Sequence, residues 1–320
     1  MKKFVKPSLL FLIMLACINV STMAKTDAGH NHDYRTFHSN GHIDYGKIED
    51  SYRADLVMYL AGNQFMVMEE LIKDFLKKHK HIKTVYVETI PPGQILKGQI
   101  LKQGKINGKK TAKNPDLYAS VNLAHLKKLK AKNKMKDYMV YTHNKLELMV
   151  AKGNPKKIKN QQDLGRSDLV QSHPNPLTEG IFKFYGTQML KDLGLYQKVT
   201  DDKKCKGCWA VKDKTWFTLR HHRETPHRIE NNLADVGIVW TSEVKHAQAE
   251  NREIEGVAID APYNMAHKVG YAIGVLNTGK NRRNANDYLT YLSTEQAQDI
   301  YASYGFVKAK AEEMQLRPIP

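Results

Sequence analysis

Residues 54–90 read ADLVMYLAGNQFMVMEELIKDFLKKHKHIKTVYVETI and carry the clearest secondary-structure signal in the chain. The apolar run at 54–61 predicts a buried strand that ends at Gly62. From 65 to 78 the apolar residues recur every three or four positions, which predicts an amphipathic helix, and 84–88 predicts a second strand. A strand, a helix and a strand in this order favour parallel pairing, because the helix carries the chain back to the starting edge.

The alternation of strands and helices continues towards the C-terminus. A turn at Pro91-Pro92-Gly93 leads into a predicted helix at 94–103. Further strands are predicted at 116–120, 146–151, 168–171, 236–240 and 270–276, and further helices at 123–133, 180–193, 226–232, 284–292 and 295–304. A chain of this length exceeds one comfortable hydrophobic core. We therefore predict a two-lobed α/β protein, in which each lobe is a mixed sheet flanked by helices.

The first 24 residues are typical of a secretory signal peptide. Lysines at 2, 3 and 6 precede an apolar run at 9–20, and small residues lead to a cleavage site after Ala24. The apolar run is too short to span a bilayer permanently. Leu15-Ala16-Cys17 resembles a bacterial lipobox, so a lipid anchor at Cys17 is the alternative to cleavage. Either outcome predicts a periplasmic protein.

Residues 25–50 follow as a polar segment without hydrophobic periodicity, and we predict a flexible arm. The segment contains His30, His32, His38 and His42. A histidine-rich tract can collect transition metals. Because no fixed ligand spacing is present, a solvated linker and metal capture both stay open.

The charge balance is strongly basic, with 50 lysine and arginine residues against 33 aspartate and glutamate residues. For an exported protein this favours an anionic ligand or an anionic surface. Nucleic acid is excluded as a partner, because the export signal removes the opportunity and no basic motif interleaved with aromatics is present. No GxSxG, HExxH, P-loop or dinucleotide fingerprint is found. We predict a binding protein that is not an enzyme and has no cofactor.

Cys205 and Cys208 are the cysteines that remain after signal-peptide removal. An even count in an oxidising compartment favours a disulfide between them. The alternative is a metal site shared with His221 or His222, although no second CxxC pair exists. A c-type haem attachment is excluded, because no histidine follows Cys208.

Several blocks of sequence, in this order, resemble the molybdate/tungstate-type periplasmic solute-binding proteins of ABC transporters. The blocks are Ala61-Gly62-Asn63, Asp116-Leu117-Tyr118-Ala119-Ser120, Ala151-Lys152-Gly153-Asn154-Pro155, His173-Pro174-Asn175-Pro176 with Gly180, Ala234-Asp235-Val236-Gly237-Ile238-Val239-Trp240, and Tyr304-Gly305-Phe306. The resemblance implies a type II periplasmic binding protein fold whose chain crosses between lobes near 138–145 and 261–269. Lobe one would comprise 52–141 plus 268–310, and lobe two 142–267.

The resemblance also implies the function. A small anion, similar to molybdate or tungstate, would bind between the lobes, and the protein, a monomer, would deliver it to the permease subunits of an ABC transporter. Asn63 stands where the family has a small hydroxyl residue. Gly93 closes the turn in which the family has a serine, but Pro91 and Pro92 here remove N–H donors.

On lobe two, the resemblance places Thr178, Glu179, His222 and Trp240 at the ligand. Glu179 departs from the family pattern, because a carboxylate repels an oxyanion unless it is protonated, is paired with Arg223 or binds a ligand that carries a cation. Alternatively, Glu179 only complements the helix N-terminus from the solvent side.

The stretch from Arg220 to Arg228, RHHRETPHR, allows three interpretations. The arginines and histidines could donate to a dianion or to a carboxylate-bearing ligand. Alternatively, His221 and His222 could coordinate a transition metal or its chelate together with Glu179 or Glu224. The third interpretation is a basic surface loop.

Overall fold

The computed structural model describes residues 33–106, 108–121, 123–219 and 224–320. The predicted signal peptide, with Cys17 and Ala24, lies outside these ranges, as do the first part of the predicted arm and the segment Arg220, His221, His222 and Arg223.

The strands are numbered in chain order. They are β1 (Tyr34–His38), β2 (Ile43–Tyr45), β3 (Leu56–Ala61), β4 (Thr84–Ile90), β5 (Lys105–Ile106), β6 (Lys109–Lys110), β7 (Leu117–Ser120), β8 (Asp137–His143), β9 (Leu146–Ala151), β10 (Gln171–His173), β11 (Cys208–Val211), β12 (Thr215–Phe217), β13 (Val236–Trp240), β14 (Ile254–Ala258), β15 (Gly270–Val275), β16 (Val307–Lys308) and β17 (Arg317–Pro318).

The α-helices are α1 (Met68–Lys78), α2 (Pro92–Gln94), α3 (Leu123–Ala131), α4 (Thr187–Asp192), α5 (Tyr196–Thr200), α6 (Glu224–Glu230), α7 (Thr241–Ala249), α8 (Arg282–Leu292) and α9 (Glu295–Ser303). Short 3₁₀ segments lie at Ile48–Tyr52, Gly62–Gln64 and Gln161–Gly165, and π-helical segments at Ile95–Gln103 and Ile181–Gly186. Within the described ranges, no helix has the length and apolar character needed to cross a membrane.

Two large mixed sheets organise the described residues. Sheet one has the order β16-β8-β15-β7-β3-β4-β1-β2, with β17 also on β8, and sheet two has the order β11-β12-β10-β13-β9-β14. Strand β3 is parallel to β4 and β7, and β10 is parallel to β12 and β13, whereas the other pairs within these two sheets are antiparallel. The prediction of an α/β fold with mixed sheets flanked by helices is confirmed.

Sheet one is covered on both faces, which explains why β3 is apolar throughout. Its residues Leu56, Met58 and Leu60 belong to the core cluster that contains the apolar face of α1. The alternate residues Val57 and Tyr59 belong to a second cluster with side chains of the Ile95–Gln103 segment and α3. A strand buried on both faces has no polar side to present to solvent.

The prediction that residues 25–50 form a flexible arm is wrong from Asp33 onward. Strand β1 pairs antiparallel with β4, and β2 extends the sheet edge. Tyr34 and Phe37 are almost fully buried. The segment is polar overall, and its order comes from pairing with a strand that lies far along the sequence, which local composition does not reveal.

The histidines of this hairpin are engaged in hydrogen bonds. His38 Nε2 and His42 Nε2 lie 2.9 Å and 3.1 Å from the carboxylate oxygens of Asp44, and Lys47 Nζ lies 2.7 Å from the same carboxylate. The Lys47 ammonium competes with any cation for Asp44. His30 and His32 lie outside the described residues.

The chain passes between the sheets twice, after β8 and again after β14. All of the partners of β8 in the described structure, β15, β16 and β17, come from the C-terminal part of the chain. The lobe boundaries proposed from the sequence, 52–141 plus 268–310 and 142–267, stay a prediction.

Candidate functional site

Three neighbouring parallel strands of sheet one end at the same edge. Strand β3 leads into the 3₁₀ turn Gly62–Gln64, β4 leads into Pro91 and α2, and β7 ends at Ser120. Because β3 is parallel to both β4 and β7, the three carboxyl ends lie side by side. Ligands of α/β proteins commonly bind at such an edge.

Sheet two contributes a matching pair of strand ends. Strand β10 leads into the turn that precedes the helix beginning at Ile181, and the parallel strand β13 ends at Trp240. Asn175 organises this turn, because its Oδ1 accepts the backbone N–H of Thr178 at 2.8 Å and that of Leu177 at 3.2 Å.

The two sets of strand ends border one cavity of about 580 Å³. Its lining includes five of the predicted site residues, Asn63, Gly93, Thr178, Glu179 and Trp240. The remaining lining residues are Asp33, Ala61, Gly62, Thr89, Ile90, Pro91, Pro92, Gln94, Lys97, Gly98, Lys102, Lys105, Ser120, Val121, His125, Leu177, Gly180, Ile181, Lys183 and Phe184. The other predicted site residues, His221, His222 and Arg223, lie outside the described ranges.

Asn63 is buried at the end of β3, and its Nδ2 donates to the Tyr271 hydroxyl. Tyr271 also accepts from Asn144 Nδ2 at 3.4 Å, and Asn144 donates to Ser242 Oγ at 2.9 Å. This chain of hydrogen bonds fixes the orientation of the Asn63 amide at the cavity.

Thr178 lies at the cavity with its hydroxyl already committed. Thr178 Oγ1 donates to Asn175 Oδ1 at 2.8 Å. A hydroxyl has a single hydrogen to donate, so in this arrangement Thr178 offers a ligand only its oxygen lone pairs. The next residue, Glu179, is 3 % exposed and lines the same wall.

Trp240 closes the cavity from the side of sheet two. Its ring packs edge-to-face on Tyr185, with centroids 5.6 Å apart. The Tyr185 hydroxyl donates to the backbone oxygen of Val121 at 2.8 Å, and Val121 directly follows β7 of sheet one. One aromatic pair therefore connects the two sides of the cavity.

His125 is a cavity residue that the sequence did not single out. Its Nδ1 lies 2.9 Å from Ser120 Oγ and 3.3 Å from the Tyr118 hydroxyl, whose own hydrogen is donated to Pro92 O. Burial lowers the pKa of His125 to about 4, and the ammonium groups of Lys128, Lys97 and Lys183 also lower it. The imidazole is therefore neutral at pH 7.

Behind the cavity wall, a buried carboxyl joins β4 to the π-helical segment. Gln99 Nε2 donates to Glu88 Oε1, and Gln99 Oε1 accepts from Thr111 Oγ1 at 3.0 Å. Burial raises the pKa of Glu88 to about 8. Glu88 is therefore largely protonated at neutral pH.

Cys205 and Cys208 form a disulfide, and neither is among the described residues that line the cavity. Across the described part of the chain, no group of three or more histidine, cysteine, aspartate and glutamate side chains is placed to hold a metal ion. The metal interpretation of His221 and His222 concerns residues beyond the described ranges.

Residues 56–307 match the family model described as bacterial extracellular solute-binding protein. The chain belongs to this family. Membership makes it a solute-binding protein rather than an enzyme, as the sequence predicted.

The solute-binding protein is similar to YvgL of Bacillus subtilis (strain 168), which is named as an ABC transporter substrate-binding lipoprotein. The two are 23 % identical over 257 residues, which is 79 % of this chain and 86 % of YvgL.

Solved structures that share its fold include two that bind anions by name or title. The periplasmic molybdate-binding protein of Azotobacter vinelandii is 21 % identical, with a TM-score of 0.61 over 80 % of this chain and 100 % of that one. PEB3 of Campylobacter jejuni, bound to L-phospholactate, is 16 % identical, with a TM-score of 0.54 over 79 % and 100 % of the chains.

Sequence reasoning missed several polar residues at the cavity of this solute-binding protein, chiefly Ser120, His125, Lys97 and Lys183. Ser120 could have been found from its position, because it is the last residue of a predicted strand. Strand β7 is parallel to β3, so Ser120 lies at the same edge of the sheet as Asn63. The lysines gave no such signal, because lysine is abundant along the whole chain.

Proposed function

We propose that this solute-binding protein captures a small anion in the cavity between its two sheets and delivers it to the permease subunits of an ABC transporter. The observation that carries the proposal is the cavity itself, which Asn63, Gly93, Thr178, Glu179 and Trp240 line from both sides. A ligand held between two lobes can be enclosed by a hinge motion and then released.

The charged side chains that line the cavity favour binding of an anion. Among the described residues, Lys97, Lys102, Lys105 and Lys183 line it, against two carboxylates, Asp33 and Glu179. Gly180 and Ile181, at the start of the helical segment Ile181–Gly186, line the same cavity, and backbone N–H groups at the start of a helix favour negative charge.

The relatives support the same class of ligand. The Azotobacter protein is named for molybdate and PEB3 was solved with a phosphorylated organic acid, while the name of YvgL supports an ABC transporter. A molybdate- or tungstate-like oxyanion is therefore the first ligand to test. A periplasmic location, reached by cleavage after Ala24 with a lipid anchor at Cys17 as the alternative, and a monomeric state complete the proposal.

Thermal unfolding of the purified full-length chain tests the proposal. The panel contains molybdate, tungstate, sulfate and phosphate on one side and zinc, copper and nickel ions on the other. A ligand that binds only the folded state stabilises it by about 2.7 kcal/mol at a hundred times its Kd. We expect an anion to raise the Tm by several degrees.

The variant Asn63→Asp sharpens the test. It keeps the shape of the side chain and a partner for the Tyr271 hydroxyl, but places a negative charge at the cavity, so the anion-induced shift should disappear. The control Asn251→Asp makes the same charge change at an exposed turn and should keep the shift. If only metal ions stabilise the protein and Asn63→Asp leaves their effect intact, the anion proposal is wrong and metal binding takes its place.

A further inference from the structure

The cavity is larger than a bare tetrahedral oxyanion needs. Such an ion occupies about the volume of three water molecules, roughly 90 Å³. The cavity measures about 580 Å³, a volume in the range of pockets that hold small organic molecules. Most of the space therefore remains for something besides the anionic group.

One part of the wall is apolar. Ile90, Val121 and Ile181 line the cavity together with Leu177 and Phe184, whose exposed fractions are 48 % and 42 %. A fully hydrated ion gains nothing from such contacts, whereas a carbon skeleton placed against these side chains removes apolar surface from water.

The cationic side chains converge from both sides of the cavity. Lys97 belongs to the Ile95–Gln103 segment beside sheet one, and Lys183 to the Ile181–Gly186 segment beside sheet two. Both depress the pKa of the His125 imidazole, so both ammonium groups act on the same region of the cavity. Lys183 Nζ also lies 5.6 Å from the centre of the Phe184 ring, which places positive charge next to the apolar wall.

We propose that the cargo is a small organic anion that carries two negative charges on a carbon skeleton, such as a phosphate monoester or a dicarboxylate. Lys97 and Lys183 bind the charged groups, and Phe184 covers the carbon skeleton. This inference rests on the proposed function, because it names the ligand class of the same cavity.

Isothermal titration calorimetry on the full-length chain tests the inference with two sets of probes. The bare oxyanions are molybdate, sulfate and inorganic phosphate, and the organic anions are phenyl phosphate and glutarate, which separate the phosphate ester from the dicarboxylate. We expect at least one organic anion to bind ten times more tightly than every bare oxyanion. A bare oxyanion that binds as tightly as both organic anions overturns the inference and leaves the proposed function intact.

Three variants locate the contacts. Phe184→Ala should weaken the organic anion about tenfold, a difference of about 1.4 kcal/mol, and leave inorganic phosphate unchanged. Lys97→Gln and Lys183→Gln should each weaken the organic anion by a similar factor. Lys127→Gln changes an exposed lysine on α3 that does not line the cavity, and it should have no effect.

The outcomes separate the two proposals. If Phe184→Ala weakens both kinds of anion equally, or neither, the apolar wall does not contact the cargo and the inference is wrong. If none of the five probes binds, the inference and the proposed function are both refuted. Melting curves of each variant establish that lost binding is not lost folding.

Discussion

Replacing Glu88 by glutamine should make the protein more stable at neutral pH. Glu88 is fully buried on β4, and its Oε2 has no hydrogen-bond partner among the described residues. Burial raises the pKa of this carboxyl from 4.5 to about 8, and the charge of Asp33 adds to the increase. In Glu88→Gln the new Oε1 can still accept from Gln99, and the new amide can donate to Tyr86, whose hydroxyl stands beside the carboxyl.

The magnitude follows from the two pKa values. The folded state holds the Glu88 proton up to pH 8 or so, whereas the unfolded chain releases it near 4.5. The associated stability is therefore complete below pH 4.5 and is lost as the pH rises to 8. At pH 7, which lies 2.5 pH units above the pKa of the unfolded chain, the free energy of unfolding is lower by about 3 kcal/mol than it is in acid. Glutamine is neutral at every pH and does not suffer this loss.

Urea unfolding at pH 5, 7 and 8 measures the effect. At pH 7 the free energy of unfolding of Glu88→Gln should exceed that of the unmodified protein by about 3 kcal/mol, and the difference should shrink towards pH 5. Glu312→Gln removes an exposed carboxylate and should change stability by less than about 0.5 kcal/mol. An identical pH dependence for Glu88→Gln and the unmodified protein would show that Glu88 is ionised in the folded state and refute the reasoning.

Three other outcomes can be measured by urea unfolding, extended to pH 3 for the histidine variant and combined with calorimetry where ligand affinity is compared. Gly237→Ala would place a methyl group 2.3 Å from the Ser172 carbonyl oxygen in the centre of sheet two, and should cost about 3 kcal/mol; an unchanged midpoint would contradict this clash. Burial lowers the pKa of His173 to about 3, so the stability that the neutral imidazole contributes is lost as the pH falls from 6.5 to 3. In His173→Asn the free energy of unfolding should therefore fall by about 4 kcal/mol less over this pH range. If the variant loses as much stability in acid as the unmodified protein, the histidine is not responsible. Reducing the Cys205–Cys208 disulfide, which closes a very short loop, should cost about 2 kcal/mol and leave ligand affinity unchanged; a loss of affinity would connect this loop to the cavity.

Local patterns predicted the part of the fold in which pairing follows chain order. Strand β3, α1 and β4 were all visible as periodic apolar residues, because each buries a face against its sequence neighbours. Strands β1 and β8 were not predicted. Both depend on partners that are distant in sequence, β4 for β1 and β15 for β8, so their order is a property of the tertiary structure.

The residues of the candidate site were likewise only partly predictable from the sequence. Family resemblance pointed to Asn63, Thr178 and Trp240, which the structure brings to one cavity. It did not foresee that the Thr178 hydroxyl is committed to Asn175, because that bond depends on the geometry of a single turn. Nor could the sequence choose Lys97 and Lys183 from so many lysines, since only the folded chain distinguishes a cavity lysine from a surface one.

The position of β15 between β7 and β8 sets the time at which the protein can be assembled during biosynthesis. While residues 1–269 emerge from the ribosome, β8 has no strand with which to pair, because its described partners begin at Gly270. Sheet one cannot be completed before the C-terminal residues are synthesised. Contacts of such long sequence separation also form slowly. A nascent chain of this topology stays incompletely folded until synthesis is nearly finished, and a prematurely terminated one lacks the strands that complete sheet one.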